Sequence, residues 1–236
     1  MLFHWPFARK LRDKWREVPT HERRVFSREL LTMDEAACLD VWRENDATPE
    51  RQWYRERYGP LVANKDVLDL GSGFSTDGIY FLRQGARVTF ADIVKDNLAA
   101  TRRVAARFGL TADYYYIDKL TRFRLPHTYD FIFAIGSLHH SPFTLAQKEV
   151  KAVSAFLRPG GLFLLLTYPW ERYVSSGAKD FHEFGQKTDG ERTPWAEWYD
   201  DDKIRALFGP GFELRWSKVF GRKDKPDYNW FEVVKL

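Results

Sequence analysis

The chain has 236 residues, of which 44% are hydrophobic and 30% are charged, and Cys38 is its one cysteine. This composition excludes a disordered chain, and the length is sufficient for one sizeable hydrophobic core. A single cysteine excludes an intrachain disulfide, so a reducing compartment is compatible with the sequence. The net charge is +4, and residues 1–30 carry all of it, with eight Lys or Arg against four Asp or Glu.

The N-terminal segment mixes aromatic and basic residues. No apolar run is long enough to cross a bilayer, and His4 and Pro6 interrupt the apolar start. We therefore expect neither a membrane span nor a signal peptide, and we expect a cytoplasmic protein. Residues 2–16 join five Lys or Arg to aromatics such as Trp5 and Trp15, a pattern that suits peripheral contact with an anionic membrane. Alternatively, these aromatics pack on the domain or the segment is a loose arm.

Two helices are predicted ahead of the first strand. The spacing Thr32-x-x-Glu35 is that of a capping box and opens one helix. Thr48-Pro49 opens another helix, which stops at Gly59-Pro60. We take residues 1–60 as a helical N-terminal extension and residues 61–236 as the main domain.

One segment reads as a buried strand, a glycine turn and a helix start. Residues 67–70 form an apolar run, interrupted only by Asp69, and Gly71 and Gly73 follow it directly. Glycines let the backbone turn tightly and approach a ligand closely, and Ser75 or Thr76 can cap the helix that follows. A second strand over 87–91 ends at Asp92, about 20 residues past the glycines, where nucleotide-binding folds place a carboxylate for ribose hydroxyls. The two motifs together predict a nucleotide-type cofactor site.

Strand and helix patterns alternate from residue 66 onward, which predicts an α/β fold with a doubly wound, mostly parallel sheet. The predicted strands cover 67–70, 87–91, 114–117, 130–135, 162–168, 212–216 and 230–234, and the helices between them run to residue 85 and over 96–108, 144–157 and 202–208. The last two strands are expected to close the seven-stranded, Rossmann-like sheet as an antiparallel hairpin.

The Asp69-x-Gly71-x-Gly73 pattern and the elements that follow resemble the class I S-adenosylmethionine-dependent methyltransferases over residues 50–236. The resemblance implies S-adenosylmethionine as cofactor, with the glycine turn under its methionine part, Asp92 at the ribose and Asp118 at the adenine amine. Ser75 stands where many members carry a third glycine. The implied cofactor-binding residues are Asp69, Gly71, Ser72, Gly73, Asp92, Ile93, Asp118, Ile135, Gly136 and Tyr54; the alternative for Tyr54 is packing on the sheet edge.

The segment Gly136-Ser137-Leu138-His139-His140 is similar to the family's loop between cofactor and acceptor. Methyl transfer to a hydroxyl requires removal of a proton, and histidine titrates near neutral pH. His139 and His140 are therefore the candidate catalytic bases, and we expect one of them only to pack or to bind backbone.

Residues 169–199 form a long polar and aromatic stretch without a clean period, which suggests a lid or binding surface. Trp170, His182 and Trp195 are its candidate acceptor contacts. Alternatively, the aromatic residues form a small core that lets the insertion fold. A lid rich in tryptophan and a pair of histidines favour O-methylation of a small molecule, and a saccharide or saccharide conjugate is the expected acceptor.

Other site chemistries are less well supported by the sequence. Asp200, Asp201 and Asp202 at a helix start satisfy exposed amides more simply than they bind a metal, so no metal is expected. No nucleic-acid partner is expected, because the loop after the fourth strand lacks the Asn or Asp with two prolines and an aromatic of amine-methylating members.

Two alternative functions remain open from the sequence. The first is a nicotinamide-dependent oxidoreductase, because the glycine turn and the acid of the second strand occur there too. Thr76 occupies the third-glycine position of that fingerprint, and Tyr115-x-x-x-Lys119 falls at a strand end instead of on a helix. The second is a non-catalytic S-adenosylmethionine-binding regulatory subunit, because a cofactor signature does not prove turnover.

Overall fold

The computed structural model describes residues 4–19, 24–222 and 225–236. The chain divides into two compact units, residues 15–118 and residues 119–236 together with the N-terminal residues through Lys14. The strands are β1 (Glu17–Pro19), β2 (Arg24–Phe26), β3 (Asp66–Leu70), β4 (Arg87–Asp92), β5 (Asp113–Tyr116), β6 (Tyr129–Ile135), β7 (Leu157–Thr167), β8 (Phe212–Phe220) and β9 (Tyr228–Lys235).

Ten α-helices lie in the described part of the chain, and short 3₁₀ turns cover Pro49–Arg51, Gly59–Leu61, Leu138–His140 and Ser154–Phe156. The α-helices are α1 (His4–Trp15), α2 (Ser27–Thr32), α3 (Glu35–Asp46), α4 (Gln52–Tyr58), α5 (Asp77–Arg83), α6 (Lys95–Arg107), α7 (Phe143–Val153), α8 (Trp170–Ser176), α9 (Phe181–Asp189) and α10 (Asp201–Phe208). None of the helices within those described ranges is both long and apolar enough to traverse a bilayer.

Seven strands form one sheet in the order β5-β4-β3-β6-β7-β9-β8, and β1 pairs separately with β2. The pairs β3–β4, β4–β5 and β6–β7 are parallel, whereas β7–β9 and β8–β9 are antiparallel. The predicted doubly wound, mostly parallel sheet with a C-terminal antiparallel hairpin is confirmed. Each predicted strand lies within or beside an observed one, and the main differences are at the ends.

The predicted capping box at Thr32 is wrong. Thr32 is the last residue of α2, and its hydroxyl donates back to the carbonyl of Glu29. The next helix, α3, is capped by Asp34, whose Oδ1 accepts from the amide of Ala37 at 2.8 Å. Asp34 takes the cap because it stands directly before the first helical residue, where the side-chain oxygen reaches the free amides.

Helix α5 packs closely on the strands of the 15–118 unit at Gly78. A Cβ atom at this position would lie 2.3 Å from Phe90 Cε1 and 2.6 Å from Asp69 Oδ2. The glycine that permits close packing of helix on sheet is therefore Gly78. The family resemblance predicts a glycine for this packing three residues earlier, at the position of Ser75. The departure at Ser75 does not remove the close approach.

The segment predicted as a lid, residues 169–199 and called the lid below, contains two helices, α8 and α9, where the sequence showed no period. Phe184 and Ala196 are buried in a cluster with Tyr168, and Tyr173 packs against this cluster. Further ring pairs join Phe181 to Trp195 at 5.3 Å and Tyr173 to Phe184 at 5.2 Å between centroids. Most of the aromatic residues thus form the small core that was the alternative interpretation.

Candidate functional site

The glycine turn follows β3 and is held against the end of β4. Gly71 and Gly73 have φ values of 70° and 57°, the left-handed region that favours glycine. The amides of Gly71 and Ser72 donate to the carbonyl of Ala91 at 2.7 and 3.1 Å, and the amide of Gly73 donates to Asp92 Oδ2 at 2.8 Å. Apart from the chain neighbours of Gly73, no described residue has a heavy atom within 4 Å of a Cβ built on this glycine, so the turn has an open side.

Asp92 lies at the carboxyl end of β4 and is buried. Its Oδ1 accepts from the amide of Val94 at 2.6 Å and from Asn97 Nδ2 at 3.3 Å, while Oδ2 accepts from Gly73. Burial raises the pKa of Asp92 to about 6, although the amides of Gly73 and Val94 favour the charged form. The Oδ2 atom accepts one of these bonds and has two lone pairs, so it retains capacity for a further hydroxyl donor.

Asp69 is buried beneath the glycine turn. Ser75 Oγ donates to Asp69 Oδ2 at 2.6 Å, and the same hydroxyl accepts from the amide of Gly78 at 3.0 Å. Ser75 thereby joins the first turn of α5 to Asp69. Burial raises the pKa of Asp69 to about 7 against the hydrogen bond from Ser75. Asp69 thus fixes the turn from inside the fold.

Tyr54 is fully buried, and its hydroxyl lies 3.1 Å from each carboxylate oxygen of Asp77. Arg55 Nε donates to Asp77 at 2.8 Å, and Arg51 also pairs with this carboxylate. Burial disfavours the charge on Asp77, but Arg51 and Arg55 outweigh it and lower its pKa. Tyr54 is thus committed to a network at the start of α5, in keeping with its packing alternative.

Sequence reasoning missed the network around Asp77. An acid in the first turn of the helix after a glycine turn was the available signal, since such a residue favours the positive end of the helix. The two arginines come from the segment that was assigned to the N-terminal extension, and only the folded chain brings them to Asp77.

Three other predicted cofactor residues occupy the rim of the same unit. Ile93 is half-buried after β4, and Asp118 is exposed two residues after β5 ends. Ser72 Oγ is buried without a hydrogen-bond partner within the described ranges. A buried hydroxyl without a partner costs stability unless a ligand or water completes it. Together with the open side of the glycine turn, it fits a ligand that carries polar groups.

In the 119–236 unit, β6 ends at Ile135 and turns at Gly136, whose φ is 71°. The amide of Gly136 donates to Leu166 on β7 at 3.2 Å, so the turn is fastened to the neighbouring strand. The 3₁₀ turn Leu138–His140 follows, and both histidines are buried. Ile135 and Gly136 are half-buried beside them.

The two histidines have different surroundings. Neither ring nitrogen of His139 has a geometrically acceptable hydrogen-bond partner within the described ranges, and its ring lies 4.2 Å from that of His140 and 4.3 Å from that of Tyr168. His140 Nδ1 lies 3.0 Å from the carbonyl of Trp195, which can only accept, so this nitrogen carries the proton. His140 is thus held by the lid.

Burial is the main reason that both histidines are uncharged at neutral pH. It lowers the pKa of His139 well below its usual value, and electrostatic interaction with His140 and with the guanidinium of Arg172 lowers this pKa further, while the carbonyl of Leu166 acts in the opposite direction. Burial also lowers the pKa of His140, against the effect of Asp189. An uncharged imidazole is the form that can accept a proton.

The predicted acceptor contacts in the lid are partly used by the lid itself. Trp195 Nε1 donates to Glu197 Oε2 at 3.2 Å, and His182 Nδ1 lies 3.0 Å from the carbonyl of Pro194. Trp170 is exposed over 47% of its surface and meets Trp198 edge to face, with centroids 4.8 Å apart. Of the three, Trp170 presents the largest exposed ring.

Sequence reasoning missed Tyr168, which follows β7 directly. Its hydroxyl donates to Asp189 Oδ1 at 2.8 Å, and its ring contacts both His139 and the guanidinium of Arg172, the latter at 4.0 Å. A signal was present, because residues that follow the carboxyl end of a parallel strand line the ligand edge of such sheets.

Comparison with known proteins points to one family. A family model described as a methyltransferase domain matches residues 68–163. The S-adenosyl-L-methionine-dependent Diels-Alderase iccD of Talaromyces variabilis is 32% identical over 110 residues, 45% of this chain and 37% of its own length. A ubiquinone biosynthesis O-methyltransferase of Nitrosococcus oceani is 29% identical over 159 residues, 59% of this chain and 65% of its own. The chain thus spans less than two thirds of these relatives.

Solved structures share the fold. The magnesium protoporphyrin IX methyltransferase of Synechocystis PCC 6803, solved with bound S-adenosylmethionine, superposes with a TM-score of 0.61 at 16% identity, covering 98% of this chain and 97% of that one. Four features are consistent with a methyltransferase domain: the sheet order, the glycine turn after β3, the acid that ends β4 and the matched family model. Residues 68–163 therefore match a methyltransferase domain, and the chain has the fold of the class I S-adenosylmethionine-dependent methyltransferases.

Proposed function

We propose that the protein binds S-adenosylmethionine at the glycine turn and transfers the methyl group to a hydroxyl of a small molecule. The observation that carries the hydroxyl acceptor is His139, a buried, uncharged imidazole whose ring nitrogens have no good hydrogen-bond partner in the described part of the chain. Such a group is suited to take a proton from a hydroxyl. The relatives named as O-methyltransferases support the same reaction class.

On this proposal, the cofactor contacts come from the glycine turn and the strand ends. The peptide groups of Gly71 and Gly73 approach the methionine part, and Oδ2 of Asp92 accepts from a ribose hydroxyl. Ile93 and Asp118 border the adenine, and Ile135 with Gly136 contributes the end of β6. Asp69 and Tyr54 take part indirectly, because each is buried and bound to Ser75 or Asp77.

S-adenosylmethionine, when bound, supplies a methyl group on a positively charged sulfur that leaves as a neutral thioether. Because this leaving group is already activated, the protein mainly orients the acceptor, and orientation can contribute about 7–11 kcal/mol at best. His139 accepts the hydroxyl proton on a ring nitrogen while the oxygen is methylated. The buried surroundings of His139 keep water from competing for that nitrogen.

The acceptor class follows from the lid and the base. A saccharide or saccharide conjugate is supported by the exposed ring of Trp170, which can stack on a sugar. A phenol is the second candidate, favoured by the lowered pKa of His139, because a weak base removes the proton of an acidic hydroxyl more easily. The small-molecule acceptor and peripheral membrane contact through residues 2–16 remain predictions, as does the cytoplasmic location.

The alternatives differ in how well they are supported. Tyr115 lies in β5, so it cannot face Lys119 across one helical turn as the oxidoreductase alternative requires. The match to a methyltransferase domain also favours methyl transfer over an oxidoreductase activity. A non-catalytic or differently catalytic domain stays a candidate, because the similar chain from Talaromyces variabilis is named as a Diels-Alderase.

The decisive experiment uses methyl-labelled S-adenosylmethionine with panels of phenols and saccharides. We expect label in a small molecule, and His139→Gln should lower kcat by about 10²–10⁴-fold, the usual contribution of a general base. Cofactor affinity by calorimetry should be unchanged in His139→Gln and should fall in Asp92→Ala. His140→Gln is the matched control, with a smaller loss of kcat.

Three results would contradict the proposal. Label that appears only in protein or nucleic acid would exclude a small-molecule acceptor. Cofactor binding without label transfer to any class would favour a regulatory subunit. Unchanged turnover in His139→Gln would remove the base and leave orientation alone as the source of catalysis.

A further inference from the structure

Helix α1 has both buried and exposed residues, and one of its basic residues is buried. Leu11 and Lys14, three residues apart and so on one side of the helix, are each 3% exposed. Arg9 and Lys10, in the preceding turns of the helix, are exposed. A lysine is rarely buried without a partner, so the position of Lys14 requires an explanation.

The ammonium group of Lys14 binds the end of a lid helix. Lys14 Nζ donates to the backbone carbonyl of Asp189 at 2.7 Å, and Asp189 is the last residue of α9. The last four carbonyls of a helix have no partner within the helix, and a cation there also meets the negative end of the helix dipole. Lys14 therefore fixes the C-terminal end of α9.

The same end of α9 positions Tyr168. The carboxylate of Asp189 accepts from the Tyr168 hydroxyl at 2.8 Å and from Thr188 Oγ1 at 2.7 Å. The Tyr168 ring packs against His139, with 4.3 Å between centroids. A continuous series of contacts thus runs from Lys14 through Asp189 and Tyr168 to His139.

We propose that Lys14 is a positioning residue and that α1 is the latch of the lid, which holds α9 so that Tyr168 packs on His139. The latch gives one basic residue of the N-terminal segment, Lys14, a role inside the protein. Its kinetic consequence rests on the proposed methyl transfer, but the latch itself does not. The exposed residues Arg9 and Lys10 take no part in it.

The structural test compares Lys14→Met with Lys14→Arg and with Lys10→Met, the matched control at an exposed lysine one turn earlier in α1. Trypsin can cut the lid after Lys179, Lys187 or Arg192, each of which lies in the insertion. We expect cleavage in the lid to be at least tenfold faster in Lys14→Met, close to wild type in Lys14→Arg and unchanged in Lys10→Met. The cleavage sites are to be identified by mass spectrometry.

A second measurement, the pKa of His140, reports whether the charge of Lys14 lies near this imidazole. The groups that face this imidazole are Asp189 of α9, Lys14 of α1, the adjacent His139 and the carbonyl of Trp195. Lys14 lowers the pKa of His140, so the pKa measured by NMR should rise in Lys14→Met and not in Lys10→Met. A role for Lys14 in packing alone at a remote site would not move this pKa.

A kinetic experiment uses the acceptor that is methylated in the screen with labelled S-adenosylmethionine. We expect kcat to fall at least tenfold in Lys14→Met and to recover partly in Lys14→Arg, with unchanged cofactor affinity. If no acceptor is methylated, the proposed function fails, while proteolysis and the His140 titration still decide the latch. Equal lid cleavage in Lys14→Met and wild type would overturn the latch, and so would loss of the whole fold in Lys14→Met.

Discussion

At the scale of single residues, the glycine motif shows where a sequence pattern and a structure diverge. Gly71 and Gly73 adopt left-handed conformations, as the pattern of the turn predicts. The packing glycine lies at Gly78 instead of Ser75, because the approach of helix to strand depends on the crossing of two elements in space. Gly78 is visible in the sequence, but its role in helix packing is shown only by its closeness to Phe90 in the structure.

Gly78→Ala should destabilise the protein by about 1–3 kcal/mol, because the added methyl group overlaps Phe90 and Asp69 in a packed interior. The matched control is Gly211→Ala, since a Cβ there has no heavy atom of the described residues within 4 Å beyond its chain neighbours. Urea unfolding of both variants measures the difference. A loss of similar size at both positions would show that glycine flexibility, and not close packing, is responsible.

Only part of the candidate site could be predicted from the sequence, because some roles depend on residue spacing and others on contacts in the folded chain. The backbone groups and acids that end strands, such as Gly73 and Asp92, stand at fixed positions along the chain and were found from spacing. Tyr168 and Lys14 were not found, because their roles depend on contacts with Asp189, which is distant in sequence. The difference between His139 and His140 likewise depends on the lid carbonyl of Trp195.

At the scale of elements, helix ends were harder to predict than helices. A threonine and a glutamate at capping-box spacing also fit a helix that ends at Thr32 and another that begins at Glu35. Asp34 lies between them and has the better cap chemistry. The lid helices α8 and α9 escaped prediction because their aromatic residues face each other as well as the domain, which hides the usual amphipathic period.

Asp34→Ala should cost about 0.5–2 kcal/mol of stability, because it leaves the amide of Ala37 at the start of α3 without its acceptor. Thr32→Ala is the control and should change stability by a few tenths of a kcal/mol, since its exposed hydroxyl only returns to the carbonyl of Glu29. Thermal unfolding of both variants provides the measurement. A larger loss for Thr32→Ala would restore the predicted capping box.

At the scale of the whole molecule, the alternation of strands and helices was sufficient to predict the sheet and its closing hairpin. The pattern could not show how the fold responds to pH, because that response depends on burial. Three acids have a pKa raised by burial, to about 6 for Asp92, about 7 for Asp69 and about 8 for Glu149. Glu149 is also buried in α7, where Ser141 Oγ donates to its Oε1 at 2.6 Å.

A raised pKa in the folded state means that the native protein binds more protons than the unfolded chain. For Glu149, this holds from its ordinary pKa of 4.5 up to about 8, so its contribution to stability is greatest below pH 4.5 and is lost as the pH rises through 8. The slope is at most about 1.4 kcal/mol per pH unit for one proton. Asp69 and Asp92 act in the same direction over lower pH ranges.

Glu149→Gln should remove the part of this pH dependence that belongs to one carboxyl group, because an amide keeps the acceptor for Ser141 and cannot ionise. We expect near-equal stability of variant and wild type at pH 5 and a more stable variant at pH 8.5. Urea unfolding across that range measures both slopes, with the exposed Glu213→Gln as the matched control. Parallel curves for wild type and Glu149→Gln would show that this carboxyl group is already charged in the folded protein at neutral pH.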